Sequence, residues 1–340
     1  MSRVKKPPLM KLSDFQIGQY GDCFVQLAAK SRGSTREGKP YYLCRFREPR
    51  RDVGVMVWAD SAFFDDCQNG WLVGQFFKLR GTLGEHPKYG LQFDPEQVRP
   101  IEERDRVDGF NELDFIEKSR FDNEQMFGEL IGLVEAGVKD EPLRQLVRKI
   151  LDDNAAGLKV VPASTRHAYI QLGGWLEHTL NVARNCISLA DYYATHFSDL
   201  KPPLNRDLIV AGAVLHDIGR VKSVEVVPEV LPPRTGIAGE LFGHIHLGYD
   251  LIRAAARDIP ELNTELLDLL LHMMVSHIRQ PESEGPRSPR IPEVLILHYA
   301  DELDSKFEMY ARCLRRDSTT GPFTERDAIL GKTLLKKRKV

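Results

Sequence analysis

The most constraining stretch of the sequence is an apolar run that ends in two polar residues. Positions 208–215 read LIVAGAVL, and His216 and Asp217 follow directly. A helix that is apolar on every side is typical of a segment buried in the protein core, and Gly219 can end it. An imidazole and a carboxylate at the inner end of a buried helix need a partner, because isolated buried polar groups are costly. A divalent metal ion would satisfy both.

Further histidines and carboxylates lie on either side of this pair. In chain order the candidates are His178 in GGWLEHTL, His244 after a glycine, His277 after a serine, and Asp301 in HYADELD. Mixed sets of histidine and carboxylate suit Mn, Fe, Co, Ni or Zn better than Ca, which prefers oxygen ligands alone. The sequence therefore predicts a metal site assembled from distant segments.

The motifs around these residues resemble those of a known family. The order His, His-Asp, His, His, Asp is that of the HD phosphohydrolase superfamily. The motifs GGWLEHTL, LHDIG, GHI and ILHYADELD closely resemble the YhaM-type 3′→5′ exoribonucleases, in which an oligonucleotide-binding (OB) domain precedes an HD domain. The resemblance covers roughly residues 12–315 and is densest after residue 160.

The resemblance implies a role for each candidate ligand. His178, His216, Asp217 and Asp301 would hold a first metal ion, and Asp217, His244 and His277 a second. Two metal ions about 3.5–4 Å apart can grip a phosphate and lower the pKa of a bound water to about 7. Mn²⁺ is the expected metal, with Fe, Co, Ni, Zn or Mg as alternatives.

The resemblance also implies residues that act on the substrate. Asp217 and Arg220 are the expected catalytic residues; Arg220 stands where the family has lysine, and a guanidinium can bind phosphate bidentately. Arg166 and His167 stand where the family has paired histidines and are candidates for substrate contact. His298 precedes Asp301 by one helical turn and is a candidate to orient it.

One departure from the family pattern bears on the number of metal ions. The family sequence Ser-His-His-Gly is replaced here by residues 276–279, SHIR, so Ile278 occupies the place of a histidine. If that histidine serves the second metal in the family, the second metal is weakened here. One or two ions per chain therefore remain as alternatives.

The first hundred residues predict a small β-barrel. Short apolar runs separated by glycine, proline and asparagine are typical of such a fold, and a helical piece near Ser61–Cys67 fits an OB-fold. The predicted strands are Tyr20–Lys30, Tyr41–Phe46, Val53–Trp58, Gln75–Leu83 and Leu91–Val98. In the fourth strand, alternation places Phe76, Lys78 and Arg80 on one face. With Tyr89 in the following loop, they are candidates to bind single-stranded nucleic acid, which needs aromatic rings and cations; core packing or an ordinary solvated face is the alternative.

The predicted fold class is multidomain: an OB-fold barrel followed by an all-α HD bundle. The predicted boundaries are a tail at 1–10, the OB domain at 11–105, a helical connector at 106–160, the HD domain at 161–318 and a basic tail at 319–340. The segment after residue 160 contains no convincing strand pattern, and we expect the stretch Val221–Glu240 to be an irregular loop beside the site.

Composition limits the compartment and the partners. The formal net charge is −2, so a nucleic-acid surface must be local. No stretch approaches the roughly 18 apolar residues of a membrane span, and the start lacks the apolar core of a secretory signal. The five cysteines are scattered, which favours reduced thiols and a cytoplasmic location. The expected partner is single-stranded RNA, with single-stranded DNA as an alternative and self-association as a further expectation.

These observations favour a metal-dependent 3′→5′ exoribonuclease that releases nucleoside monophosphates. Two alternatives remain. An HD phosphohydrolase acting on a small nucleotide needs no strand-binding domain, and a non-catalytic RNA-binding protein needs no intact His/Asp set.

Overall fold

The computed structural model describes residues 7–35, 37–49, 51–86, 90–227, 230–278, 288–317 and 319–336. The chain divides into two compact units, Met1–Phe115 with Tyr310–Val340, and Ile116–Met309. Within the described ranges, no helix has the length and apolar character needed to cross a bilayer.

The first unit contains a closed five-stranded barrel in the order β1-β2-β3-β5-β4. Its elements are β1 (Tyr20–Ser34), β2 (Pro40–Glu48), β3 (Arg51–Trp58), α1 (Phe64–Asn69), β4 (Phe76–His86) and β5 (Gly90–Pro100). Side chains alternate inward and outward along each strand, so Phe77 and Leu79 are fully buried. Phe46, Trp71 and Phe77 pack edge to face with ring centroids 5.2–6.0 Å apart. The predicted OB-fold barrel, with a helix between its third and fourth strands, is confirmed.

Two segments outside the strands complete the barrel unit. The first follows β5 and contains α2 (Glu103–Val107) and a short 3-10 helix, Glu112–Phe115. The second is residues 319–336, the described part of the segment 319–340 that was predicted above as a basic tail. It is folded instead: Thr324 N donates to Leu334 O at 2.9 Å, and Lys336 Nζ lies 2.7 Å from Asp317 Oδ2. A cavity of about 290 Å³ is lined by residues of this segment, of the end of α11 and of the barrel.

The second unit is helical. Its helices are α3 (Asn123–Gly137), α4 (Glu141–Asp153), α5 (Ala155–Leu158), α6 (Gly174–His196), α7 (Arg206–Leu215), α8 (Arg220–Ser223), α9 (Ile237–Ala256), α10 (Thr264–Ser276) and α11 (Pro292–Arg316), whose last turns belong to the first unit. Residues 208–215 of α7 are all buried, which confirms the prediction of a core helix. This helix packs among α3, α4, α6 and α10 and carries its polar end into the centre of the unit.

The prediction of an irregular, strand-free loop at Val221–Glu240 is wrong. The segment contains α8, a hairpin of β6 (Val224–Val227) and β7 (Val230–Thr235), and the start of α9. A two-stranded hairpin tolerates prolines that a central strand would exclude, so Pro232 and Pro233 within β7 do not prevent it.

Candidate metal centre

The polar end of α7 lies against α9 because two glycines permit it. A Cβ on Gly219 would lie 1.9 Å from the carbonyl oxygen of His244, so only glycine allows this approach. Gly243 has φ +70 and interrupts the helical geometry of α9 immediately before His244. On the other side, Trp175 Nε1 donates to Asp217 O at 3.0 Å and ties α6 to the turn.

The structure brings the six predicted ligands together. His178 Nε2 lies 3.3 Å from His216 Nε2 and 3.2 Å from Asp301 Oδ1. His244 Nε2 lies 3.0 Å from Asp217 Oδ1, and the His277 ring centroid is 5.4 Å from that of His216. Ligand atoms of His178, His216 and Asp217 all lie within 4.8 Å of one another, close enough for one metal ion. We call these six residues the His/Asp cluster.

The hydrogen bonds of the histidines leave the correct nitrogen atoms for a metal. His216 Nδ1 donates to Ala213 O at 2.8 Å, and His277 Nδ1 donates to Met274 O at 2.7 Å. In a neutral imidazole the other nitrogen then carries a lone pair, so each Nε2 can be a ligand. His244 Nε2 is buried and lies 3.0 Å from Asp217 Oδ1, so it too faces a candidate ligand. The donor set therefore fits a transition metal.

The carboxylates of the centre are held in their charged form. Burial on its own would raise the pKa of Asp217, but Arg220 and His244 outweigh it and hold the pKa well below its ordinary value. Burial likewise opposes ionisation of Asp301, but the hydrogen bond with His178 and the charge of His216 lower its pKa to about 2. Charged carboxylates are the form that binds a cation.

The surroundings shift the pKa values of His178 and His277 in opposite directions. Burial on its own would lower the pKa of His178, but hydrogen bonds to Asp301 and Asp304 overcome it and raise the pKa to about 10. Burial lowers the pKa of His277 to about 4, with a contribution from His216. A positive charge is thus favoured beside Asp301, where a metal ion would compete with the proton.

His298 does not make the contact predicted for it. Its Nδ1 donates to the carbonyl oxygen of His277 at 2.6 Å, so it contacts the backbone of a different candidate ligand, and the prediction that it orients Asp301 is wrong. The residue that sequence reasoning missed is Asp304, whose Oδ2 lies 2.8 Å from His178 Nδ1. Asp304 follows Asp301 by one helical turn, and that spacing was the available signal.

The other predicted site residues of the helical unit, Arg220, Arg166 and His167, are partly or fully exposed to solvent. Arg220 is partly exposed, and its Nε lies 3.1 Å from Asp217 Oδ2. Arg166 and His167 are exposed in a turn where both backbone N–H groups donate to Ser164 Oγ, at 3.1 and 3.0 Å. Ile278 is 36% exposed directly after the buried His277. Substrate contact by Arg166 and His167 stays a prediction.

The predicted nucleic-acid face on β4 is covered. Phe76 packs against Phe110 and Phe115, with centroids 5.4 and 5.0 Å apart. Lys78 is 7% exposed, with Asp105 and Asp108 at 3.4 and 3.1 Å from its Nζ. The expectation that this face is open is therefore wrong, and Tyr89 lies outside the described residues.

Arg80 on this face is also paired. Its Nε and Nη2 donate to the two carboxylate oxygens of Asp22 at 2.6 and 2.9 Å, and Arg99 binds Asp105 in the same bidentate way at 2.6 and 2.7 Å. We call Asp22, Lys78, Arg80, Arg99 and Asp105 the barrel ionic cluster. Its members are occupied with one another, which argues against a role in binding phosphates.

A different face of the barrel presents one exposed aromatic ring, Trp58, beside the partly buried ring of Tyr41. Tyr41 on β2 pairs with Trp58 on β3, and their ring centroids are 5.3 Å apart. Trp58 is 45% exposed and Leu43, on the same face, 38%. A side chain at Gly33 would collide with the Tyr41 ring, so glycine there makes room for the ring to lie over β1.

Comparison with known proteins identifies part of the chain. Residues 175–306 match the sequence model of the HD domain family, described as "HD domain". HD domains form a superfamily of metal-dependent phosphohydrolases, and this part of the helical unit is similar to them. The matched range includes all six residues of the His/Asp cluster and Asp304.

Solved structures give weaker likenesses. A domain of replication protein A from Methanococcus maripaludis aligns at 10% identity and TM-score 0.23, covering 28% of this chain and 97% of that one. The second OB-fold domain of the same protein aligns at 16% identity with the same TM-score and coverage. Aspartyl tRNA synthetase from Entamoeba histolytica aligns at 11% identity and TM-score 0.24, covering 78% of this chain and 58% of that one. TM-scores this low indicate nothing about function.

Proposed function

We propose that this protein is a metal-dependent 3′→5′ exoribonuclease that hydrolyses single-stranded RNA to nucleoside monophosphates, with single-stranded DNA as a second substrate. The observation that carries the proposal is the buried convergence of His178, His216, Asp217 and Asp301, within a region that matches the HD domain. The direction of digestion rests on the resemblance of the motifs to YhaM-type exoribonucleases.

The side chains of the His/Asp cluster would form two groups, each of which binds one metal ion. His178, His216, Asp217 and Asp301 would hold one divalent cation, and His244 and His277 would hold a second that shares Asp217. Bound in this way, divalent cations neutralise phosphate charge and acidify water at neutral pH. Asp217 is suited to sharing because its two oxygens point to different neighbours, His244 and Arg220.

Arg220 would position the substrate phosphate. Its Nε is engaged by Asp217, which fixes the guanidinium plane, and the side chain is 23% exposed. The remaining N–H groups can then donate to phosphate oxygens, and the planar guanidinium can bind a phosphate bidentately. The same ion pair holds Asp217 in its charged form.

The barrel would retain the strand through Tyr41 and Trp58. Exposed rings on a barrel face can stack on bases irrespective of sequence, and each stacked base contributes about 1–3 kcal/mol. OB-folds bind oligonucleotides through the face of their second and third strands, and these two rings lie there. Trp58→Ala should weaken binding of single-stranded RNA by about 5- to 100-fold, whereas Phe76→Ala should act mainly on stability.

One assay tests the proposal. Purified protein with Mn²⁺ is incubated with 3′-labelled and 5′-labelled single-stranded RNA, and separately with free nucleotides. The 5′-labelled strand should shorten in single-nucleotide steps while the 3′ label is released as mononucleotide at once. Release of phosphate from free nucleotides with intact RNA would support a small-nucleotide phosphohydrolase, and binding without products would support a non-catalytic RNA-binding protein. Either result would contradict the proposal.

A further inference from the structure

Two carboxylates on α11 contact opposite edges of one imidazole. Asp301 Oδ1 lies 3.2 Å from His178 Nε2, on the side of the His/Asp cluster. Asp304, one helical turn later, places Oδ2 2.8 Å from His178 Nδ1, on the side away from the cluster. Because a hydrogen bond at Nδ1 leaves Nε2 to face a metal ion, the two aspartates differ in role although both touch the same ring.

Asp304 is itself held by a buried tyrosine. Tyr169 OH donates to Asp304 Oδ1 at 3.1 Å and accepts from Asn181 Nδ2 at 3.1 Å. Tyr169 and Asp304 are 4% and 9% exposed, so water competes little for these bonds. Both oxygens of Asp304 are therefore engaged, one by His178 and one by Tyr169, which fixes the carboxylate plane.

The backbone holds Tyr169 in an unusual conformation. Its φ of +51 lies in the left-handed region, which a non-glycine residue keeps only where its surroundings impose it. Tyr169 N donates to Glu308 Oε2 at 3.2 Å, and Tyr169 O accepts from Ala163 N at 3.1 Å. A Cβ on Gly174 would lie 2.2 Å from Tyr169 O, so a glycine at the start of α6 makes this placement possible.

We propose that Asp304 and Tyr169 are positioning residues that hold His178 with Nε2 directed at the metal ion, Tyr169 acting only through Asp304. The inference rests on the proposed function, because it requires that the His/Asp cluster bind a metal. Neither residue touches substrate. Partners that orient ligating histidines in this way typically change metal affinity or activity by about 10- to 100-fold when removed.

The test is metal binding rather than turnover. Mn²⁺ affinity is measured by calorimetric titration for the full chain, for Asp304→Asn, for Tyr169→Phe and for the double variant. Asp304→Asn should weaken binding by about 10- to 100-fold, and Tyr169→Phe by about 3- to 10-fold, since it removes the hydroxyl that donates to Asp304 Oδ1. Because Tyr169 acts through Asp304, the double variant should bind no more weakly than Asp304→Asn alone.

Matched controls and a second readout separate positioning from a general structural effect. Asp268→Asn on α10 and Tyr299→Phe on α11 make the same chemical changes at exposed positions and should leave Mn²⁺ affinity unchanged. With Co²⁺ bound, the visible absorption bands should shift in Asp304→Asn, since the orientation of a ligand changes. Loss of stability of the metal-free protein with an unshifted Co²⁺ spectrum would overturn the inference.

The failure of this inference is distinguishable from failure of the proposed function. Wild-type protein that binds Mn²⁺ while both variants bind it equally well would overturn the positioning role alone. Wild-type protein that binds none of Mn²⁺, Co²⁺ and Zn²⁺ would overturn the proposed function and the inference with it. Additive losses in the double variant would show that Tyr169 does not act through Asp304.

Discussion

The barrel ionic cluster and the His/Asp cluster both bury carboxylates, but they differ in which groups balance the negative charge of those carboxylates. In the barrel, Asp105 receives two hydrogen bonds from Arg99, one from Lys78 and one from the backbone N–H of Glu102. Asp22 is likewise bound by both donors of Arg80. The anions and cations there come from the chain itself.

Around His178 in the helical unit, the described residues place three carboxylates and one guanidinium. Asp217, Asp301 and Asp304 lie around His178, and Arg220 is the guanidinium that pairs with one of them. The raised pKa of His178, about 10, reports the same imbalance, because its hydrogen bonds to two carboxylates overcome burial. The charge balance around His178 therefore favours a bound cation, as proposed above, whereas the charges of the barrel ionic cluster are balanced by its own residues.

The largest expected effect is loss of turnover on removing Asp217. Metal ions supply several kcal/mol of transition-state stabilisation, so Asp217→Ala should reduce hydrolysis of single-stranded RNA and of bis(p-nitrophenyl) phosphate by about 10³-fold or more. Elemental analysis should show reduced retention of metal, while RNA affinity stays nearly unchanged. The control is Asp268→Asn. If Asp217→Ala kept the wild-type rate of hydrolysis, the assignment of the His/Asp cluster as a metal site would be wrong.

A substitution in the barrel ionic cluster should instead lower the free energy of unfolding. Asp105→Ala leaves Lys78 and Arg99 buried without their common partner, which should cost about 3–5 kcal/mol of unfolding free energy. Denaturant unfolding of the full chain measures it, and Glu103→Ala is the control because that side chain is 90% exposed. Metal content should not change. A larger stability loss in metal-free Asp217→Ala than in Asp105→Ala would break the contrast between the two clusters.

The smallest expected effect is a pH dependence of the barrel ionic cluster. Hydrogen bonds from Arg99 outweigh burial and hold the pKa of Asp105 well below its ordinary value, which is about 3.9. A carboxylate with a lowered pKa contributes stability above its ordinary pKa and loses it as the pH falls below about 4. Wild type should exceed Asp105→Asn by about 1–3 kcal/mol near neutral pH, and the difference should narrow on acidification. A difference that is constant with pH would show that Asp105 titrates normally in the folded protein.

Sequence patterns within single strands and helices were sufficient to predict much of the fold. The alternation in β4 put Phe76, Lys78 and Arg80 on one face, and Phe77 and Leu79 on the other face are buried in the barrel; the apolar run of α7 correctly predicted a buried helix. Both follow from the period of a strand or helix, which the local sequence contains. The order of the His and Asp motifs likewise predicted residues that the structure brings together.

Contacts between distant segments were not predictable in the same way. Phe110 and Asp105 cover the face of Phe76 and Lys78 from outside the strands, and no periodicity within β4 reveals such a cover. In α11, His298 and Asp304 each lie one turn from Asp301. Helical spacing cannot distinguish a residue one turn before Asp301 from a residue one turn after it. That Asp304 contacts His178 depends on how α6 lies beside α11.

The barrel unit is built from segments at both ends of the sequence. Its strands lie within Tyr20–Pro100, whereas the segment that carries Glu325, the partner of Arg45 at 2.9 Å, follows the entire helical unit. During synthesis on a ribosome the strands therefore emerge before the segment that carries Glu325 and completes this surface. Truncation of the chain after α11 would therefore remove part of the first folding unit rather than a dispensable extension.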